Sequence, residues 1–411
     1  MATLAQLMER GVTIHAPESV YVGPEVRLER VADKGVVIWP GCRVTGADTL
    51  LMEGVELGRE APVTVDECQL GPEVSLAGGS VKRSVFLRGA SMGSGAQVRD
   101  GTILEEFARG AHTVGLKQTI LFPWVTLGSL VNFCDVLMTG GTGDRDHSEV
   151  GSSYIHFNYT PQQDKATPSL VGNVPEGVFL NQRPIFLGGQ GGMVGPRRLA
   201  HGTVAAAGTI VRKDELKKNR LVFDRPAGRG SVSFDPGVYR SVAAVFKNNV
   251  MYLANLVALR QWYIHVRSRF IAGDLEQALH DGLCDKLDMA REERVKRLQA
   301  FCNRMPESAR RLSGLSETAG AEKLLARKRE LHARWADARA WYQTRWAETG
   351  ILGDGESFLE GFENARLASP ADYLATVRRL PAGTARTGRD WLSGVVDEVA
   401  DGMLGFFPSL D

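Results

Sequence analysis

The chain has 411 residues, 43% hydrophobic and 24% charged, enough apolar material for one large core or two ordinary ones, which excludes disorder as its main state. Forty-nine Lys and Arg against 48 Asp and Glu leave a formal charge of +1, so no overall field recruits nucleic acid or an anionic membrane. Five scattered cysteines (Cys42, Cys68, Cys134, Cys284 and Cys302) without a CxxC pair argue against a disulfide framework and a zinc knuckle, and fit a reducing cytoplasm.

The first segment, MATLAQLMERGVTIH, lacks the basic and apolar regions of a secretory signal, and no uninterrupted apolar stretch reaches membrane-spanning length. A soluble protein with no membrane partner is expected. From about Gly11 to Val211 the chain is dense in Gly and Val, and an aliphatic residue followed by a small one recurs every six residues. Examples are Val22 with Leu28, Ile38 with Val44, Leu70 with Leu76, Met92 with Val98, and later Leu199, Ala205 and Val211. A six-residue period sends one aliphatic side chain per short strand into a prism-shaped interior, and the small residue after it permits the corner. The spacing predicts a single-stranded left-handed parallel β-helix with Val22, Leu28, Leu70, Leu76, Met92 and Val98 inward. Breaks in the period at Thr45–Leu57 and Thr139–Glu149 predict loops leaving the coil.

Asp214 to Gly237, with KKNR, DRPAGRG and DPG, reads as a surface connection, which places a boundary near Pro236. Residues 1–236 then form the β-helix domain with its connecting segment, and 237–411 an α-helical domain holding five of the seven tryptophans. Val238–Ile271, Glu276–Met305 and Glu322–Glu348 carry apolar residues three and four apart and are predicted helices. Asp274 and the run Ser369-Pro370-Ala371-Asp372 are predicted N-caps.

GVTIHAPESVYVGPEV, VRDGTILEEFARGAHTVGLKQ, LGSLVNFCD, GSSYIHFNY and HGTVAAAGTIV occur in order between Gly11 and Val211. In these motifs the chain resembles the acetyltransferase half of the bacterial bifunctional UDP-N-acetylglucosamine pyrophosphorylase/glucosamine-1-phosphate N-acetyltransferase, of the hexapeptide-repeat transferase superfamily. The nucleotidyltransferase half has no counterpart, so pyrophosphorylase activity is not expected.

The resemblance implies that Arg99 and Lys117 hold the phosphate of an amino-sugar phosphate or nucleotide sugar, a task suited to a planar guanidinium fork and an ammonium point charge. It further implies sugar contacts from Asn158, Tyr159 and Lys165. An acetyl-CoA or other acyl-CoA arm would lie against small residues at Ser152, Gly189, Ala206 and Ala207, and sites would be shared between subunits of a homotrimer.

The departures fall on the chemistry. Amine attack on a thioester needs a general base. Ser129 stands where the family has its His, and Asn132 stands at the place of a nearby Tyr. Glu149, His147 and His156 are the alternative bases. No metal site is indicated. Gly188-Gly189-Gln190-Gly191-Gly192 lacks the Lys-Ser/Thr ending of a phosphate loop and reads as a corner, and Val178–Leu187 appears as an added coil. Two functions follow: an acyl-CoA-dependent N-acyltransferase, or a noncatalytic sugar-phosphate-binding or scaffold protein whose helical part docks a partner.

Overall fold

The computed structural model describes residues 4–224, 234–314, 320–368 and 372–410. Strands of two to four residues stack with strands about one coil away in three parallel sheets, of eleven, ten and eight strands. They are the faces of the left-handed β-helix that the repeats predict, and a helical region follows it. The first face runs from Thr13–Ile14 to Leu221–Val222, the second from Tyr21–Val22 to Ile210–Val211, and the third from Leu50–Leu51 to Arg198–Leu199. The coil therefore continues beyond Val211, because Leu221–Val222 pairs with Val204–Ala205 inside the segment read as a connection.

Inside the prism the side chains stack by type. On the second face Val98, Leu116 and Phe133 lie in register from coil to coil, and on the third Phe86, Leu104, Leu121 and Met138 do the same. Leu70, Leu76, Met92 and Val98 are buried as expected. Val22 and Leu28, in the first coil, are partly buried and packed on the core. The helix Leu4–Glu9 lies at that end and buries Leu7, covering apolar surface that a further coil would otherwise cover.

Thr45–Leu57 does not leave the coil. Arg43–Thr45, Leu50–Leu51 and Glu56–Leu57 supply one strand to each face, and the six-residue signal fails there only because the corners differ in length. At Thr139–Glu149 the expected excursion is present, as an antiparallel pair, Gly141–Gly143 with Asp146–His147. Val178–Leu187 is not an added coil. It belongs to an excursion that opens with the short helix Val174–Gly177, after which Phe186–Leu187 rejoins the first face beside Glu149–Val150.

Three expected helices form as Val242–His265, Asp274–Asn303 and Ala321–Ala347. Gly273, not Asp274, occupies the N-cap of the second, and Asp274 begins its first turn. Asp372 caps Tyr373–Arg378 by accepting from the Ala375 amide at 2.8 Å, while Ser369, Pro370 and Ala371 lie outside the described residues. Val242–Phe270 is, by length and composition, apolar enough to cross a membrane, although Lys247 and Arg260 interrupt its apolar run. It is the central helix of this region, with 72% of its most apolar window buried. Trp262 on it donates to the Tyr373 hydroxyl at 2.8 Å and stacks on Phe358.

Asp274–Asn303 packs on the third face. Gly282 sits against the Gln69 side chain, and Arg294 reaches Asp135, four coils further on. Twelve helical residues rise about 18 Å, and four coils at strand spacing rise about 19 Å, so the helix runs nearly parallel to the coil axis. The seam carries buried charge. Arg267 bonds Glu105 and Glu106 at 2.7 Å each, Tyr263 donates to Glu105 at 2.6 Å, and the Arg267 guanidinium lies over Tyr373.

Candidate functional site

The second face has polar residues along both long edges. Strand register puts Arg99 directly beside Lys117, and Lys117 beside Cys134, on three successive coils. Arg99 sends Nη2 to within 3.9 Å of Cys134 Sγ. Burial raises the Cys134 thiol pKa, helped by the Asp135 charge, while Arg99, Lys117 and Lys165 oppose the rise. The charges of Arg99, Lys117 and Lys165 are thus all felt at Cys134. Asn158, half-buried, and Tyr159, 59% exposed, follow the strand Ile155–Phe157 on the next coil. Lys165 is exposed, and its carbonyl faces Arg294 at 3.5 Å.

The edge shared with the first face is a column of small corner residues. The Ser153 amide donates to the Ser129 carbonyl, the Gln190 amide to that of Ser152, and the Gly208 amide to that of Gly189, each at 2.8–2.9 Å. Ser129, Ser152, Gly189 and Ala207 thus succeed one another coil by coil, with Ala206 just inside the last. The approach is tight, because a Cβ on Gly151 would sit 2.3 Å from the Gly189 amide nitrogen and one on Gly188 2.4 Å from that of Ala207. Below Ser129 the same stack continues to His112, whose carbonyl accepts from Leu130 at 3.0 Å. His112 is exposed. Nothing in the sequence marks His112, because only the corner register reveals its place.

Between the two edges, Gln97, Gly115 and Asn132 form a rung series one strand wide. Gly115 leaves the floor low, since a Cβ there would meet only Asn132 side-chain atoms, at 3.7 Å. Strand rise puts this series about 7 Å from the Arg99–Lys117 column, roughly the span of a sugar ring.

The other base candidates lie elsewhere. His156 is 3% exposed and occupies the inward column, where Val98, Leu116 and Phe133 precede it and Met193 follows. Its Nε2 bonds Ser169 Oγ at 2.8 Å inside the prism, and burial holds its pKa down to about 4. It has no route to a ligand outside the coil. Glu149 is exposed on the first face, in register with Thr126 and Phe186. His147 belongs to the hairpin, with Nδ1 2.7 Å from the Asp144 carbonyl oxygen. Among the described residues no group of three or more His, Cys, Asp or Glu is placed to hold a metal.

Fold and repeat define a hexapeptide-repeat β-helix protein with a helical region packed on one face. No family model matches the chain. Curated proteins called "Bifunctional protein GlmU" do match. The one from Thermotoga petrophila is 25% identical over 215 residues, 52% of this chain and 42% of its own length. That from Fervidobacterium nodosum is 26% identical over 211 residues (51% and 41%), and that from Thermus thermophilus 29% over 164 (40% and 33%). Half of the chain is thus similar to these proteins, in keeping with the resemblance carried by its motifs, and the match spans about two fifths or less of their length.

Proposed function

We propose that the second face binds a phosphorylated amino sugar, with phosphate on Arg99, Lys117 and Lys165 and the ring lying over Gly115 toward Asn132. An acyl-CoA arm would follow the corner column Ser129, Ser152, Gly189 and Ala207. The observation that carries this reading is the register of Arg99 and Lys117: two cations on adjacent rungs, neither within ion-pair distance of a carboxylate among the described residues, in a protein whose other surface arginines are commonly paired. Unspent cations side by side repel each other, and an anion between them relieves that cost. The role of acetyltransferase is inferred from the similarity to the GlmU proteins, and a trimer that shares sites between subunits is part of the same reading.

Ser129 has no basic nitrogen, His156 is inside the coil, and Glu149 stands on the first face, so transfer to glucosamine 1-phosphate is slow or absent. This favours a second reading, a sugar-phosphate-binding protein without turnover. Calorimetry with glucosamine 1-phosphate tests the site. Arg99→Ala is expected to weaken binding by about 1.5–3 kcal/mol, and equal affinity in wild type and variant would remove the site. An assay with acetyl-CoA separates the two readings. A positioned base is worth about a hundredfold to ten-thousandfold in rate, so a large gain in Ser129→His marks a retained donor site, and robust wild-type turnover abolished by His112→Ala makes the corner imidazole the base.

A further inference from the structure

Lys117 also faces away from the sugar-sized floor, toward the helical region. Beyond it lies a cavity of about 250 Å3 lined by Asp100, Lys117 and Gln118 from the coil and by Met289, Glu292, Glu293 and Lys296 from Asp274–Asn303. Two features of this cavity are unused by anything described so far.

The first is Gln118. It turns the corner between the second and third faces at φ 51°, a position occupied in neighbouring coils by Arg83, Gly101 and Asp135, all with positive φ. The turn tucks its side chain against Gly101, where a Cβ would meet the amide nitrogen at 2.6 Å. Gln118 is 6% exposed, yet its Oε1 has no hydrogen-bond partner among the described residues. A buried acceptor left unpaired is costly unless a ligand or water completes it.

The second is the charge balance of the walls. Asp100 pairs with Arg83, Glu292 with Arg291 at 3.1 Å, and Glu293 with Arg297 at 2.7 Å, and none of those arginines lines the cavity. Although burial disfavours its charge, the Arg83 guanidinium holds the Asp100 carboxyl below its usual range. Each acid thus has an arginine outside the cavity, and the Lys117 charge also acts on Asp100. Among the described residues Lys117 and Lys296 are within ion-pair distance of no carboxylate, and they face the same space from opposite elements.

We propose that this cavity is the subsite for a nucleotidyl group carried on the sugar's phosphate, so that the ligand is a nucleoside-diphosphate sugar and not a simple sugar 1-phosphate. The phosphate nearer the sugar sits on Arg99 and Lys117. The second phosphate lies between Lys117 and Lys296, and Gln118 Oε1 accepts from a hydroxyl or N–H of the nucleoside. The helical region thereby supplies a specificity wall that the β-helix lacks. This rests on the sugar-phosphate reading above and extends it in the opposite direction along the same rung.

The test compares two probes differing only by the nucleotidyl group, glucosamine 1-phosphate and UDP-glucosamine, by calorimetry on the full chain. UDP-glucosamine is expected to bind wild type at least tenfold more tightly. Lys296→Ala and Gln118→Met should each erase most of that advantage while leaving glucosamine 1-phosphate unchanged. No advantage for UDP-glucosamine, or an advantage that both variants retain, overturns the subsite, and the parent reading survives if Arg99→Ala still weakens both probes. If Arg99→Ala weakens neither, the parent reading falls and takes the subsite with it. Thermal melting accompanies each variant. Should Gln118→Met misfold, Lys296→Ala decides alone, since that side chain is exposed.

Discussion

The second and third faces are built by the same repeat and turn the same kind of aliphatic residue inward, yet their outer surfaces differ completely. Outward positions of the third face are Leu50, Gln69, Val85, Ile103, Ile120, Leu137 and Leu170, all no more than 3% exposed beneath the helical region. On the second face the matching positions are Gln97, Gly115 and Asn132, with Arg99 and Lys117 at the edge. A coil's interior thus sets its fold, whereas its exterior decides whether a face becomes a seam or a site.

The largest break in that contrast should come from the seam. Arg267→Ala leaves buried Glu105 and partly buried Glu106 without their cation, and removing one partner of such a cluster costs about 3–5 kcal/mol. Chemical denaturation reads the loss.

Truncation of outward residues gives the direct comparison. Ile103→Ala on the covered face should destabilise by about 2–5 kcal/mol, and Gln97→Ala on the open face by no more than about 0.5 kcal/mol. Similar values for the two would mean that the helices do not cover the third face in solution.

The last effect concerns the shared interior. His156 has its folded pKa lowered to about 4 from an ordinary 6.5, so between those values the unfolded chain binds more protons than the folded one. Stability is then fully present above pH 6.5 and declines as pH falls toward 4, by on the order of 3 kcal/mol in all. His156→Phe should flatten the stability profile in that window. An unchanged slope would show that the imidazole does not titrate inside the coil.

Much of this was legible beforehand. Arg99 and Lys117 are eighteen residues apart, one coil, and the motifs marked both. Leu50-Leu51, Val85-Phe86, Ile103-Leu104, Ile120-Leu121 and Leu137-Met138 also stand in plain view as apolar doublets, and two adjacent apolar residues on a two-sided strand mean that both sides are covered. None of these doublets is among the aliphatic residues on which the six-residue spacing rests, so the covered face went unread. His156 misled because a His in a strand reads as polar, although its place in the inward column fixes it in the core. Lys296 and Gln118 were out of reach, since their meeting depends on where a helix more than 150 residues downstream docks.

That helix has a further consequence for how such a coil can change in length. Its turns advance about 5.4 Å while the rungs advance about 4.8 Å, so helix and coil keep step for roughly four turns before drifting by half a rung. The contacts from Gly282 to Arg294 occupy little more than three turns. A rung added or removed between Gln69 and Asp135 would carry Asp135 past Arg294 and strand both charges. Asp274–Asn303 therefore acts as a gauge that holds the number of rungs beneath it constant, leaving duplication or loss of coils to the stretches it does not span.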